Sequence, residues 1–197
     1  MKTVKSPDLR HRIMDAGIRL FAEKGFFTVR VEDIARCARV AKGTVYLYFK
    51  DKPSLYVGIL DHQFQDGIAI LKRVREQEKP AAEKLAIVAR DWFDFMKQFQ
   101  TGFNMSAFDN LNLTKTVMRK FHQQVMTRMH EIYQLLADII RQGIDKGEFR
   151  PVDPVVAAHC FLNMVRTSSA AHMLLPGVKN AEREVFDIFM NGLTKPM

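Results

Sequence analysis

Residues 31–50, VEDIARCARVAKGTVYLYFK, read as two short helices joined by a tight turn, the second ending in a basic, aromatic segment. Val31, Ile34 and Ala35 recur at helical spacing and predict one buried face on the first helix. After Ala38-Arg39-Val40 a second helix is expected from about Ala41, with Val45 and Phe49 turned inward at i, i+4. Lys42, Thr44, Tyr46, Tyr48 and Lys50 are then left to a partner, and Gly43 lets the backbone approach closely. Lysines and hydroxyls on one short helix suit a negatively charged, hydrogen-bonding groove. Double-stranded DNA fits that description best.

Helical punctuation continues on both sides. Ser6-Pro7-Asp8 is a good start, and Leu9, Ile13, Ala16, Leu20 and Phe21 repeat on one face until Gly25 ends the run. Asp51 is a natural cap for a fourth helix through Leu55, Ile59, Leu60 and Phe64 to about Gln77, roughly 37 Å long. Further helices are expected at about 81–99, 115–146, 155–174 and 180–193, with a shorter apolar segment at 103–108. No sustained alternation of apolar and polar residues occurs, so the fold class is all-α.

The net charge of +8 is unevenly spread. Through Lys52 there are twelve Lys/Arg against six Asp/Glu, and in the remaining 145 residues eighteen against sixteen. A positive excess on a helix-turn-helix pattern points to nucleic acid rather than to a merely solvated face. A membrane surface is disfavoured, because the apolar residues of 9–49 are needed for a three-helix core. No stretch of 18 uninterrupted apolar residues exists and the first residues lack a signal-peptide pattern, so a cytoplasmic protein is expected. Cys37 and Cys160 lack companion ligands and are expected to be reduced and partly buried.

Catalysis has little to stand on. There is no nucleophile elbow, no His-Glu metal helix and no glycine-rich phosphate loop, and the histidines (11, 62, 122, 130, 159, 172) are scattered. We therefore expect no enzyme, no metal and no cofactor. A nucleoid-type protein binding DNA without sequence preference is one rival. A ligand-binding module that has lost DNA binding is another.

Gly25-Phe26, Val31-Glu32-Asp33-Ile34-Ala35, Val40 through Lys52 and Leu55 together resemble the tetracycline-repressor (TetR) family of bacterial transcription regulators over roughly residues 8–60. The resemblance implies a helix-turn-helix DNA-binding domain at 1–51 and a helical ligand-binding and dimerisation domain at 52–197. It implies a homodimer on a palindromic operator, released by a lipophilic small-molecule effector. Lys42, Gly43 and Thr44 would then enter the major groove, while Tyr46, Tyr48 and Lys50 grip the backbone. Two departures stand out. Arg30 and Val29 replace the Ser or Thr usual at the start of the second helix, so the cap either shifts to Thr28 or is replaced by Glu32 and Asp33 acting on the dipole. Arg39 replaces a common turn glycine, and in the left-handed conformation it would cost about 1 kcal/mol. Arg30 and Arg39 are accordingly candidate DNA contacts.

Fifteen Phe and eleven Met are a heavy load, mostly downstream of residue 57. Most should be ordinary core. Adaptable aromatic and methionine walls nonetheless suit an apolar ligand. By the resemblance, Phe64, Trp92, Met96, Phe103, Phe108, Phe121, Val125 and Met129 are expected to line an effector pocket, with His122, Asn163 and Arg166 as polar anchors. Phe161, Val165, Val185, Phe186 and Phe189 are expected at the dimer interface.

Overall fold

The helix-turn-helix pattern folds as two seven-residue helices, α2 (Val31–Cys37) and α3 (Lys42–Tyr48), preceded by α1 (Pro7–Lys24). Among the described residues five more follow: α4 (Lys52–Arg75), α5 (Ala81–Gly102), α6 (Lys115–Asp145), α7 (Pro154–Leu174) and α8 (Ala181–Leu193). The computed structural model describes the backbone of residues 7–102, 115–174 and 180–194, and side-chain surroundings for 8–92, 122–166, 168 and 180–194. The expected cap at Ser6 and the segment 103–108 lie outside the described residues. Among the described residues no strand forms; Phe149 and Thr194 make one isolated antiparallel bridge.

The termini show why the helices stop where they do. Gly25 takes a φ of 75° and its N–H returns to the Phe21 carbonyl at 2.9 Å. At the end of α2, Arg39 N donates to Arg36 O (3.1 Å) and Val40 N to Ala35 O (2.9 Å), the paired closure of a Schellman motif. That motif needs a left-handed residue just past the cap, and Arg39 supplies it at φ 54°. Asp51 caps α4 as its chemistry suggests, its Oδ1 accepting from Ser54 N at 2.7 Å.

Packing gathers the chain into two compact units, Met1–Phe64 with Gln98–Val125 and Gln65–Lys97 with Met126–Met197. In the first, α1, α2, α3 and the first half of α4 bury Ile13, Met14, Phe21, Ile34, Val45, Phe49, Leu55 and Ile59 around a Phe21–Phe26–Tyr56 ring cluster with centroids 5.0–5.6 Å apart. Burial pushes the Tyr56 phenol pKa up.

In the second unit Leu71, Val74, Leu85, Val88, Ile132, Leu136, Ile140, Phe161 and Leu162 are buried. Lys84 is only 3% exposed, and its ammonium donates to Arg75 O (2.7 Å) and Gln142 Oε1 (2.8 Å). Burial first, then the nearby Lys146 charge, lowers its pKa, while Glu148 opposes them. Glu148 itself caps α5 by accepting from Ala81 N at 2.6 Å. Cys37 is half-buried as expected, but Cys160 is exposed, because α7 turns Ala157, Ala158, Phe161 and Leu162 inward instead.

Candidate functional sites

α3 divides its residues as the spacing predicts. Val45 is 2% exposed and Phe49, its C-cap, 5%. Lys42, Gly43, Tyr46, Leu47 and Lys50 are exposed, and Thr44 and Tyr48 are half-buried, with Tyr48 packed on the head's core. A Cβ built on Gly43 would meet nothing within 4 Å. The chain's own packing therefore gives no reason for glycine at this position, whereas close approach by an outside partner does.

Lys42 does not project freely. Its ammonium pairs with Glu32 of α2 at 2.5 Å and stands 5.8 Å from the Tyr46 ring centre. The hydrogen bond to Glu32 raises the Lys42 pKa, and the same bond lowers that of Glu32. Both groups are about half exposed, so the pair can open at little cost. Glu32 is a participant that residue-type reasoning missed; only its position one helix away reveals it.

Arg30 is the exposed N-cap of α2, and Asp33 Oδ2 reaches back to accept from its backbone N–H at 3.1 Å. Of the two expected solutions for the missing hydroxyl, the acidic first turn is therefore the one adopted, through a hydrogen bond as well as the dipole. Arg39 is exposed beside the turn. Arg12 of α1 donates to Ala38 O at 2.8 Å, tying the α2 end to α1. Lys52 turns inward: its Nζ donates to Phe26 O (2.7 Å) and Val29 O (2.9 Å) and stands 3.4 Å from Phe27 O.

The described residues among those expected to bind the effector differ in their surroundings. Trp92 is 8% exposed and faces Gly67, whose added Cβ would lie 3.8 Å from the indole. Beside it is an apolar cavity of about 10 Å³ lined by Gly67, Ile70, Leu71, Val88, Asp91 and Trp92, room for about one water. Phe64, Val125 and Met129 are half-buried and His122 is exposed. Asn163 and Arg166 are exposed on α7, where Arg166 Nη2 donates to Asn163 Oδ1 at 3.2 Å. The side chains of Met96, Phe103, Phe108 and Phe121 lie outside the described residues. A wider open cleft of about 810 Å³ is lined by the charged residues Arg75, Lys79, Lys84, Lys146 and Glu148 among others.

Of the expected interface residues, Phe161 and Val165 are each 1% exposed and Phe189 is 9% exposed, with Phe161 and Phe189 stacked edge-on at 5.2 Å within the chain. Val185 and Phe186 are half-buried. Among the described residues of α7 and α8 the most exposed large apolar side chains are Val156 and Ile188, 61% and 63% exposed. Among the described residues no cluster of three or more metal-ligating groups forms, and no helix is long and apolar enough to cross a membrane.

Residues 13–59 match the family model "Bacterial regulatory proteins, tetR family", and residues 82–186 match "Tetracyclin repressor-like, C-terminal domain". The "Fatty acid metabolism regulator protein" of Bacillus subtilis is 27% identical over 139 residues, 71% of this chain and 70% of that protein. The fold is similar to that of FadR from Bacillus subtilis in complex with stearoyl-CoA, with a TM-score of 0.70 and 22% identity over 92% of this chain and 98% of that one. It is also similar to the SmeT–triclosan complex, with a TM-score of 0.72 and 19% identity over 95% of this chain and 92% of that one. SmeT is the repressor of the multidrug efflux pump SmeDEF of Stenotrophomonas maltophilia.

Proposed function

The chain belongs to the TetR family of bacterial transcription regulators, and from that premise we propose that it is a cytoplasmic repressor that binds a palindromic operator as a homodimer and is released by a lipophilic small molecule. In this reading residues 1–51 bind DNA and residues 52–197 bind the effector and dimerise. The single observation that carries the DNA half is Gly43, open on an exposed helix face between Lys42 and Thr44. Lys42 and Thr44 read bases, and Arg30, Arg39, Tyr46, Tyr48 and Lys50 hold phosphates.

The effector half draws on chemistry. Two proteins of similar fold hold stearoyl-CoA, whose acyl chain is apolar although its CoA head is charged, and triclosan, which is largely apolar. Here Trp92, buried beside Gly67, Ile70, Leu71 and Val88, supplies the kind of apolar surface such a molecule would contact.

The test begins with selection of a binding site from random duplexes, followed by competition against random DNA. A bound fraction that random DNA displaces as well as the selected site does would favour a nucleoid-type protein instead. Stearoyl-CoA and triclosan then serve as probes of release. If neither probe, nor any of a panel of apolar amphiphiles, lowers operator affinity, the effector assignment is wrong.

A further inference from the structure

The structure assigns Lys52 a positioning role: it is the clamp that joins the first residue of α4 to the α1–α2 turn and so sets the orientation of the DNA-reading pair α2 and α3. The inference rests on the DNA-binding reading only for its functional consequence. An ammonium carries three N–H donors. Those of Lys52 face the carbonyls of Phe26, Phe27 and Val29 at 2.7, 3.4 and 2.9 Å, and the ammonium stands 4.3 Å from the centre of the Phe26 ring. Two of the three are engaged at short hydrogen-bond distance, and the third lies near the Phe27 carbonyl. A cation in the first turn of a helix is opposed by the helix dipole, and burial lowers the Lys52 pKa. The carbonyl cage is what offsets both.

The topology gives the cage its leverage. Val29 precedes Arg30, the N-cap of α2, and Lys52 follows the C-cap of α3 by three residues. One side chain therefore closes the chain segment that holds both helices. The links from α1, Arg12 to Ala38 O and Arg19 to Cys37 Sγ, and the Lys42–Glu32 pair between α2 and α3 hold the middle of this segment but neither outer end. The carbonyls of Phe26 and Val29 sit in the non-helical stretch after α1, where the lysine satisfies acceptors that would otherwise need water.

A lysine among basic neighbours on a DNA-binding head would ordinarily be assigned to phosphate, and the two roles are separable. The experiment compares Lys52→Met, Lys52→Arg and Lys50→Ala. In the free protein, amide hydrogen exchange over residues 26–33 is expected to rise in both Lys52 variants and to stay unchanged in Lys50→Ala. On the selected operator, both Lys52 variants are expected to bind about tenfold more weakly with an unchanged salt slope, because a planar guanidinium keeps the charge but cannot converge on the carbonyls. Lys50→Ala is expected to lower the slope by about one. Restored affinity in Lys52→Arg, or a slope reduced by one in Lys52→Met, makes Lys52 a phosphate contact and overturns the clamp. Unchanged exchange in both variants overturns it as well. Should Lys52→Met fail to fold, Lys52→Arg and Lys52→Gln give the same comparison. Raised exchange with no DNA binding by the unsubstituted protein leaves the clamp standing and rejects the DNA reading instead.

Discussion

Lys42 has one ammonium and two claims on it. In the free protein Glu32 holds it, and in the proposed complex a base edge or phosphate takes it. Glu32→Gln is expected to tighten binding to random DNA more than to operator and to steepen its salt dependence, since one more cation is then free to displace counterions. Equal tightening on both duplexes at unchanged slope would mean that the pair does not restrain Lys42. Arg39 poses a different trade. At φ 54° its side chain costs about 1 kcal/mol that glycine would not. Arg39→Gly should therefore be more stable than Arg39→Ala by about that amount in denaturant titration, while both bind DNA less tightly. An Ala variant as stable as the Gly variant would show that the turn relaxes without strain.

Helix ends were the most legible features of this chain. Gly25, Asp51 and Gly147 stand where the helices stop or start, and Gly25 and Gly147 take positive φ at 75° and 73°. Asp51→Ala should cost about 1 kcal/mol of stability by removing the acceptor for Ser54 N, measurable as a lower urea midpoint. Inside α6 the constraint is spatial. A Cβ on Gly143 would meet the Phe149 ring and the Ala81 Cβ, the latter at 2.8 Å. Gly143→Ala is expected to destabilise by about 1–3 kcal/mol despite alanine's better helix propensity. A stabilised variant would show that Phe149 moves aside freely. Phe149 belongs to the turn that closes α6, but the Ala81 contact comes from α5, and nothing in the sequence near Gly143 announces it.

The proposed assembly turns on which apolar face of α7 and α8 meets a second copy. Phe161 and Phe189 already pack on each other within one chain, so Phe189→Arg should damage the fold itself as well as any dimer. Ile188 is 63% exposed and separates the two effects. Ile188→Arg is expected to give monomers by light scattering with an unchanged circular dichroism spectrum and weak operator binding. A dimer of unchanged mass would move the interface elsewhere. Effector and operator should also oppose each other reciprocally: whatever factor a probe removes from operator affinity, operator must remove from probe affinity, with 5–150-fold corresponding to about 1–3 kcal/mol.

The sequence by itself determined the all-α class, the helix order, the buried face of α3 and the family, since these follow from local periodicity, capping chemistry and a dense run of matching residues between Gly25 and Leu55. Even the left-handed Arg39 was legible as a departure from glycine. Only the tertiary structure decided the partners: Glu32 on Lys42, the Phe26 and Val29 carbonyls on Lys52, Phe161 on Phe189 and Ala81 against Gly143. The physical reason is range. A residue's helical face is set by neighbours within four positions, whereas the group that satisfies its charge or fills its volume is set by how separate helices pack, and spacing along the chain carries no record of that.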